Sequence, residues 1–203
     1  MLQKTYQRIV GTFKKHNGYM TFSDMLANGI TVLQMRELEE SGTLERFARG
    51  CYWCKDCGIE KPKNHKYVEI GIANPDAVIC LESASFLNEL SEEEPEVIHV
   101  ATERTDRKKM EFAFDVQRYY FQNAGIKGEI KVEKTKFGTF KYYSKERTIC
   151  DILRMKNKVS EETLEMAVNH YKTDDKLQES VKTYAKKLRA YRNVICYSDE
   201  MVE

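Results

Sequence analysis

The sequence predicts an α+β protein, with an N-terminal winged helix-turn-helix over residues 1–55 and a larger C-terminal α+β domain over residues 67–203 that is helical at its end. Three patterns carry that expectation. Apolar residues return at three- and four-residue intervals in three consecutive segments of the first forty positions, and a glycine closes each segment. An alternating hairpin pattern follows at once. Beyond Lys66 short strand-like runs take over, and beyond Ser144 long helical stripes return.

The first segment places Leu2, Tyr6, Ile9, Val10 and Phe13 on one helical face, and Asn17-Gly18 stops it. A short second helix is predicted from Thr21 to Asn28, capped by Thr21 or Ser23 and ended by Asn28-Gly29. The third begins at Thr31, carries Met35 and Leu38 inward and ends at Ser41-Gly42. Leu44 to Trp53 then reads as a hairpin with its turn near Arg49-Gly50. In the second half, strands are expected at Tyr67 to Ile72, Ala77 to Leu81, Val97 to Thr102, Phe112 to Phe121, Gly128 to Glu133 and Thr139 to Tyr143, with a helix from Glu82 to Leu90. Stripes through Ile149, Ile152 and Leu153, through Leu164, Ala167, Val168 and Tyr171, and through Leu177, Val181, Tyr184, Leu188 and Tyr191 predict the final helices.

Composition narrows the function classes. With 41% hydrophobic residues the 203-residue chain can bury a core, and its 33 basic and 32 acidic side chains nearly cancel, so any electrostatic partner must meet a local block. The apolar runs are too short for a bilayer, and the N-terminus shows no secretory pattern. The six cysteines are therefore expected to be reduced. Cys51, Cys54 and Cys57 have the spacing of one zinc-ribbon knuckle, but only His65 and Cys80 stand nearby as partners; no metal is expected, and Cys51 is expected to be buried. Cys80, Cys150 and Cys196 fall on apolar stripes and read as core thiols.

The stretch from Gly18 to Trp53 resembles the N-terminal domain of the AbiEi family of antitoxins. The features that carry the resemblance are Gly18, Thr21, Asp24, Gly29-Ile30-Thr31, Met35 and Leu38, Gly42-Thr43-Leu44 and Arg49-Gly50-Cys51-Tyr52. It continues through VICLESASFLNEL at 78–90, PEVIHVAT at 95–102 and KERTICDILRMKNK at 145–158, where Glu146-Arg147-Thr148-Ile149-Cys150-Asp151 is a specific match, and ends in the Tyr171 to Tyr197 region. The resemblance implies a cytoplasmic, non-enzymatic antitoxin that autoregulates its operon, a type IV abortive-infection system. Its winged helix would bind inverted repeats of duplex DNA in its own promoter. Its C-terminal domain would counteract an AbiEii-like nucleotidyltransferase toxin without a stable complex.

On a helical wheel with Met35 and Leu38 inward, Leu33, Arg36, Glu37 and Glu40 point outward, Gln34 lies to one side and Thr31 caps the helix. Arg36 suits guanine, Gln34 adenine, Glu37 cytosine and Leu33 a thymine methyl, while Lys15, Arg46 and Arg49 suit phosphates. Residues 1–50 hold seven Lys/Arg and five Asp/Glu, so the field over this region is weak. A denser block runs from Arg104 to Arg147, with twelve Lys/Arg against six Asp/Glu; Arg107, Lys108 and Lys109 are its cluster and the candidate antitoxin face. Lysine-protected sheet edges are the alternative reading of that block. A second dense positive face is Lys182, Lys186, Lys187 and Arg189.

Enzymatic motifs are absent: no glycine-rich dinucleotide or phosphate loop, no H-E-x-x-H and no G-x-S-x-G. Glu146, Arg147 and Asp151 are read as capping and ion-pair residues. No cofactor is expected. Two alternatives remain at this point, an orphan winged-helix regulator and a nucleic-acid-processing enzyme centred on Asp115, Glu129 or Asp151.

Overall fold

A computed structural model of the chain describes residues 1–122 and 127–197. Residues 123–126, inside the basic block, and 198–203, inside the expected C-terminal domain, lie outside the described residues. The chain is α+β and divides into two compact units. One holds Met1–Pro75, Lys108–Phe114 and Glu133–Phe140; the other holds the remainder.

The first unit opens with α1 (Gln3–Lys15), whose Ile9 and Phe13 are fully buried. Its last turn carries Lys14 and Lys15, where positive charge complements the exposed carbonyls. The helix ends in two left-handed residues, Asn17 and Gly18. A β-carbon on Gly18 would stand 2.3 Å from the Trp53 ring, so only glycine satisfies both the backbone and the packing there. β1 (Tyr19–Thr21) leads into α2 (Phe22–Ala27), then α3 (Val32–Glu40), and the hairpin β2 (Leu44–Ala48) and β3 (Cys51–Cys54) completes a three-stranded antiparallel sheet in the order β1-β3-β2. This is a winged helix-turn-helix. Ile9, Phe13, Met20, Met25, Ile30, Met35, Leu38 and Leu44 form its core. β1 is a strand that sequence periodicity does not reveal, because three residues are too few to show alternation.

The unit continues with α4 (His65–Ala73), which corrects the strand expected from Tyr67 to Ile72. Tyr67, Val68, Glu69, Ile70 and Gly71 are buried in succession, so the helix is surrounded and its apolar run carries no helical signature. Gly71 lets the carbonyl of Thr139 approach, since a β-carbon would lie 2.1 Å from that oxygen. The buried Glu69 carboxylate is held by Lys61 at 2.9 Å and accepts from the Tyr19 hydroxyl at 3.1 Å.

The second unit is built on β4 (Val78–Ile79), α5 (Leu81–Leu87), β5 (Ile98–Glu103), β6 (Val116–Phe121), β7 (Ile130–Thr135), β8 (Gly138–Tyr143), α6 (Lys145–Arg154), α7 (Glu161–Thr173), α8 (Asp175–Lys187) and α9 (Tyr191–Ile195). The sheet order is β6-β5-β4-β8-β7, mixed in direction: β4 is antiparallel to β5 and parallel to β8, and β5 is parallel to β6. Residues 133–140, from the β7–β8 hairpin, are grouped with the first unit. The strand expected from Phe112 begins only at Val116, because β5 offers pairing partners from Ile98 onward. Phe112 makes a single bridge to Ala48 instead. α6 is the hub of the helices, packing against α5, α7, α8 and α9, with Ile149, Cys150, Ile152 and Leu153 buried. Among the described residues no helix is long and apolar enough to cross a membrane.

Candidate nucleic-acid interface

In the winged helix, α3 is positioned from three directions. The Arg8 guanidinium donates to the carbonyls of Asn28 at 3.2 Å and Gly29 at 3.3 Å, tying α1 to the turn between α2 and α3. Gly29 makes that turn with a φ of 68°, where a side chain would be strained. At the start of α3 the Thr31 hydroxyl accepts from the Gln34 backbone, and the Gln34 side-chain oxygen accepts from the Thr31 backbone at 3.0 Å. This reciprocal box satisfies two helix-end donors and is worth about 1 kcal/mol. Met35 and Leu38 bury their side chains, contributing roughly 1.5–3 kcal/mol each.

The opposite face of α3 is open. Leu33 is 72% exposed and Val32 52%, with Thr31, Arg36 and Glu37 exposed beside them. Val32 was not singled out by sequence reasoning. Its signal is an apolar residue at the first helical position that lies off the Met35–Leu38 stripe. Gln34 is half-buried and its oxygen is committed to the cap, so a two-bond contact to adenine would cost the box. Glu37 accepts from the Met1 amine at 2.7 Å.

The wing is a hairpin with Arg49-Gly50 at its turn and a bulge between Arg46 and Ala48. Phe47 is buried at that bulge, while Arg46 and Arg49 remain exposed. The Phe22 backbone donates to the Gly50 carbonyl at 2.7 Å, joining the start of α2 to the tip of the wing. Lys15 is exposed at the end of α1. Exposed cations thus stand on α1, α3 and the wing, with apolar side chains at the start of α3. That set combines phosphate donors with groups able to touch base edges.

The other sequence-predicted residues separate. Arg107, Lys108 and Lys109 are exposed, but Arg107 belongs to the second unit and the two lysines to the first. Lys108 donates to Asn74 Oδ1 at 3.1 Å, and Lys109 pairs with Glu111 at 3.3 Å. Asp115 and Glu129 are exposed, whereas Asp151 is fully buried. Both Asp151 oxygens are taken, by Arg147 Nε at 2.7 Å and Arg154 Nη2 at 2.7 Å. The sequence reads Glu146, Arg147 and Asp151 together as capping and ion-pair residues; the structure pairs Arg147 with Asp151, gives the cap to Ser144, and adds Arg154, whose signal is its place three residues beyond Asp151. Glu146 is half-buried in the first turn of α6, and the Ser144 hydroxyl caps that helix.

Cys51, Cys54 and Cys57 are all buried, and Cys57 Sγ donates to the Cys54 carbonyl. Among the described residues no group of three or more His, Cys, Asp or Glu side chains is arranged to hold a metal ion. Burial pushes the Cys54 and Cys150 thiols up to about 12 and raises those of Cys51 and Cys80. Cys196 corrects its expectation as a core thiol: α9 ends at Ile195, and the sulfur just beyond it is exposed.

No protein family matches the chain in sequence, and no curated protein matches it. Among solved structures it is similar to the RV2827C protein from Mycobacterium tuberculosis, at 12% identity and a TM-score of 0.57, over 97% of this chain and 81% of that one. At that identity the likeness is one of fold, and it spans both units of the chain.

Proposed function

We propose that this chain is a sequence-specific DNA-binding regulator of its own operon and an AbiEi-type antitoxin that opposes a nucleotidyltransferase-like toxin. The observation that carries the DNA-binding half is the outward face of α3, where Val32, Leu33 and Arg36 are exposed on a helix whose start is fixed by a capping box and by Arg8. A recognition helix needs that combination, because base reading requires a rigid helix start carrying free side chains. The antitoxin half is supported by the resemblance through Glu146 to Asp151. We read the protein as non-enzymatic, since Asp151 is enclosed by two arginines.

Titration of the full chain against a duplex from its own promoter and against a scrambled duplex tests the first half. Arg36→Ala should lower affinity for the promoter duplex by about 1–3 kcal/mol while barely changing the scrambled one. Arg49→Ala should weaken both alike. Equal losses for Arg36→Ala on both duplexes would remove it as a base reader. Growth of cells carrying the neighbouring gene, with and without this protein, tests the second half. A variant with Arg107, Lys108 and Lys109 changed to Glu should fail to rescue them if those residues serve antitoxicity.

A further inference from the structure

Among the described residues the second unit contains a buried guanidinium, paired with one carboxylate, whose remaining hydrogen-bonding capacity goes unused. Arg147 is fully buried, and of its three guanidinium nitrogens only Nε is paired, with Asp151. Among the described residues Nη1 and Nη2 have no hydrogen-bond partner, and neither does Nε of Arg154. Among the described residues two arginines share this one carboxylate: Arg147 and Asp151 are fully buried, while the Arg154 side chain is 26% exposed and carries the group's net positive charge toward the surface. The Tyr143 and Phe121 rings, 4.5 and 5.8 Å from the Arg147 carbon, offer it their faces. Leaving buried guanidinium donors without an acceptor is costly.

A cavity of about 650 Å³ adjoins this group. Phe121 and Arg154 belong both to its wall and to the surroundings of the buried charge. Lys187 and Arg189 also line it, and among the described residues no Asp or Glu does. Arg189 occupies a left-handed position, with a φ of 55°, just past the end of α8, a place that usually falls to glycine. At the rim Tyr120 is 58% exposed, with the Arg118 guanidinium 4.8 Å from its ring.

We propose that this cavity binds a phosphate-bearing nucleotide. The phosphate meets Arg154, Lys187 and Arg189, and the exposed Tyr120 ring accepts the base by stacking. A free mononucleotide and the phosphorylated end of an oligonucleotide present the same chemistry. This site lies within the second unit and is independent of the DNA-reading proposed for α3.

Calorimetric titration of the full chain with pyrophosphate, adenosine monophosphate, and a short single-stranded oligonucleotide with and without a 5′-phosphate tests the proposal. At least one phosphorylated probe should bind, and the unphosphorylated oligonucleotide should bind at least about tenfold more weakly than its phosphorylated form. Tighter binding of the monophosphate identifies a free nucleotide, and tighter binding of the phosphorylated oligonucleotide identifies a chain end. The exposed double variant Lys187→Ala/Arg189→Ala should lose about tenfold or more in affinity with an unchanged melting temperature. Arg147→Met, which leaves a neutral Asp151–Arg154 pair, should lose binding as well. If it does not fold, the double variant decides. Absence of binding by every phosphorylated probe at millimolar concentration, or undiminished affinity in the double variant, would overturn the assignment.

Discussion

The two units fix the starts of their central helices by different means. In the winged helix, α2 and α3 each open on a reciprocal box, Thr21 with Asp24 and Thr31 with Gln34, made of exposed or half-buried groups three residues apart. In the second unit, α6 opens on Ser144 alone and is held by the buried Arg147–Asp151–Arg154 group. Local caps contribute about 1 kcal/mol apiece and fail gently when removed. A buried ion group adds little net stability over an apolar core, yet breaking it by removing one partner is severe. The first arrangement leaves the outer face of a helix open, and the second holds a helix enclosed by neighbours.

The largest effect should therefore come from Asp151→Ala. It strands the fully buried Arg147 guanidinium inside the second unit and should cost about 3–5 kcal/mol in denaturant unfolding. A loss below 1 kcal/mol would mean that the arginines are solvated, erasing the contrast. Gly18→Ala is next, at about 2–4 kcal/mol, combining a left-handed backbone with a methyl group driven into Trp53. Thr31→Ala should cost about 1 kcal/mol, and promoter affinity should fall with it because the start of α3 loosens. Unchanged affinity would show that the cap serves stability alone.

The smallest effect is a pH dependence in the second unit. Burial lowers the His99 pKa, and Glu82, 3.7 Å away, only partly opposes this. Above about pH 6.5 the imidazole is neutral in both folded and unfolded chains; below it the unfolded chain takes up the proton more readily, so stability falls as the solution is acidified. His99→Gln should flatten that acid limb relative to the parent in melts between about pH 7 and 5. Identical limbs would show that His99 titrates alike in both states.

Legibility in the sequence follows the same division. The helices and hairpin of the winged helix are readable because each is amphipathic and punctuated by Gly18, Gly29, Gly42 and Gly50, all with positive φ. The outward set of Leu33, Arg36 and Glu37 follows from placing Met35 and Leu38 inward. α4 was illegible because burial all round leaves no periodic contrast, and the Gly71–Thr139 approach that explains its packing spans distant positions. Arg147 and Asp151 were legible as ion-pair or capping residues, but their complete burial and the second claim by Arg154 depend on which elements close over α6. The commitment of Gln34 to its cap was hidden for a related reason, since one amide can serve a helix end or a base.

The distribution of thiols gives the chain a built-in reporter of opening in each unit. A thiol reacts through its thiolate, so the raised pKa values of Cys51, Cys54, Cys80 and Cys150 compound their burial and make them doubly slow toward an alkylating reagent. Cys196 is exposed and should take the first label. After that first label, each further alkylation records an opening event, and its position identifies the unit that opened: Cys51 and Cys54 speak for the winged helix, Cys80 and Cys150 for the second unit. Peptide mapping over time would thus resolve the local stability of each unit without any engineered probe.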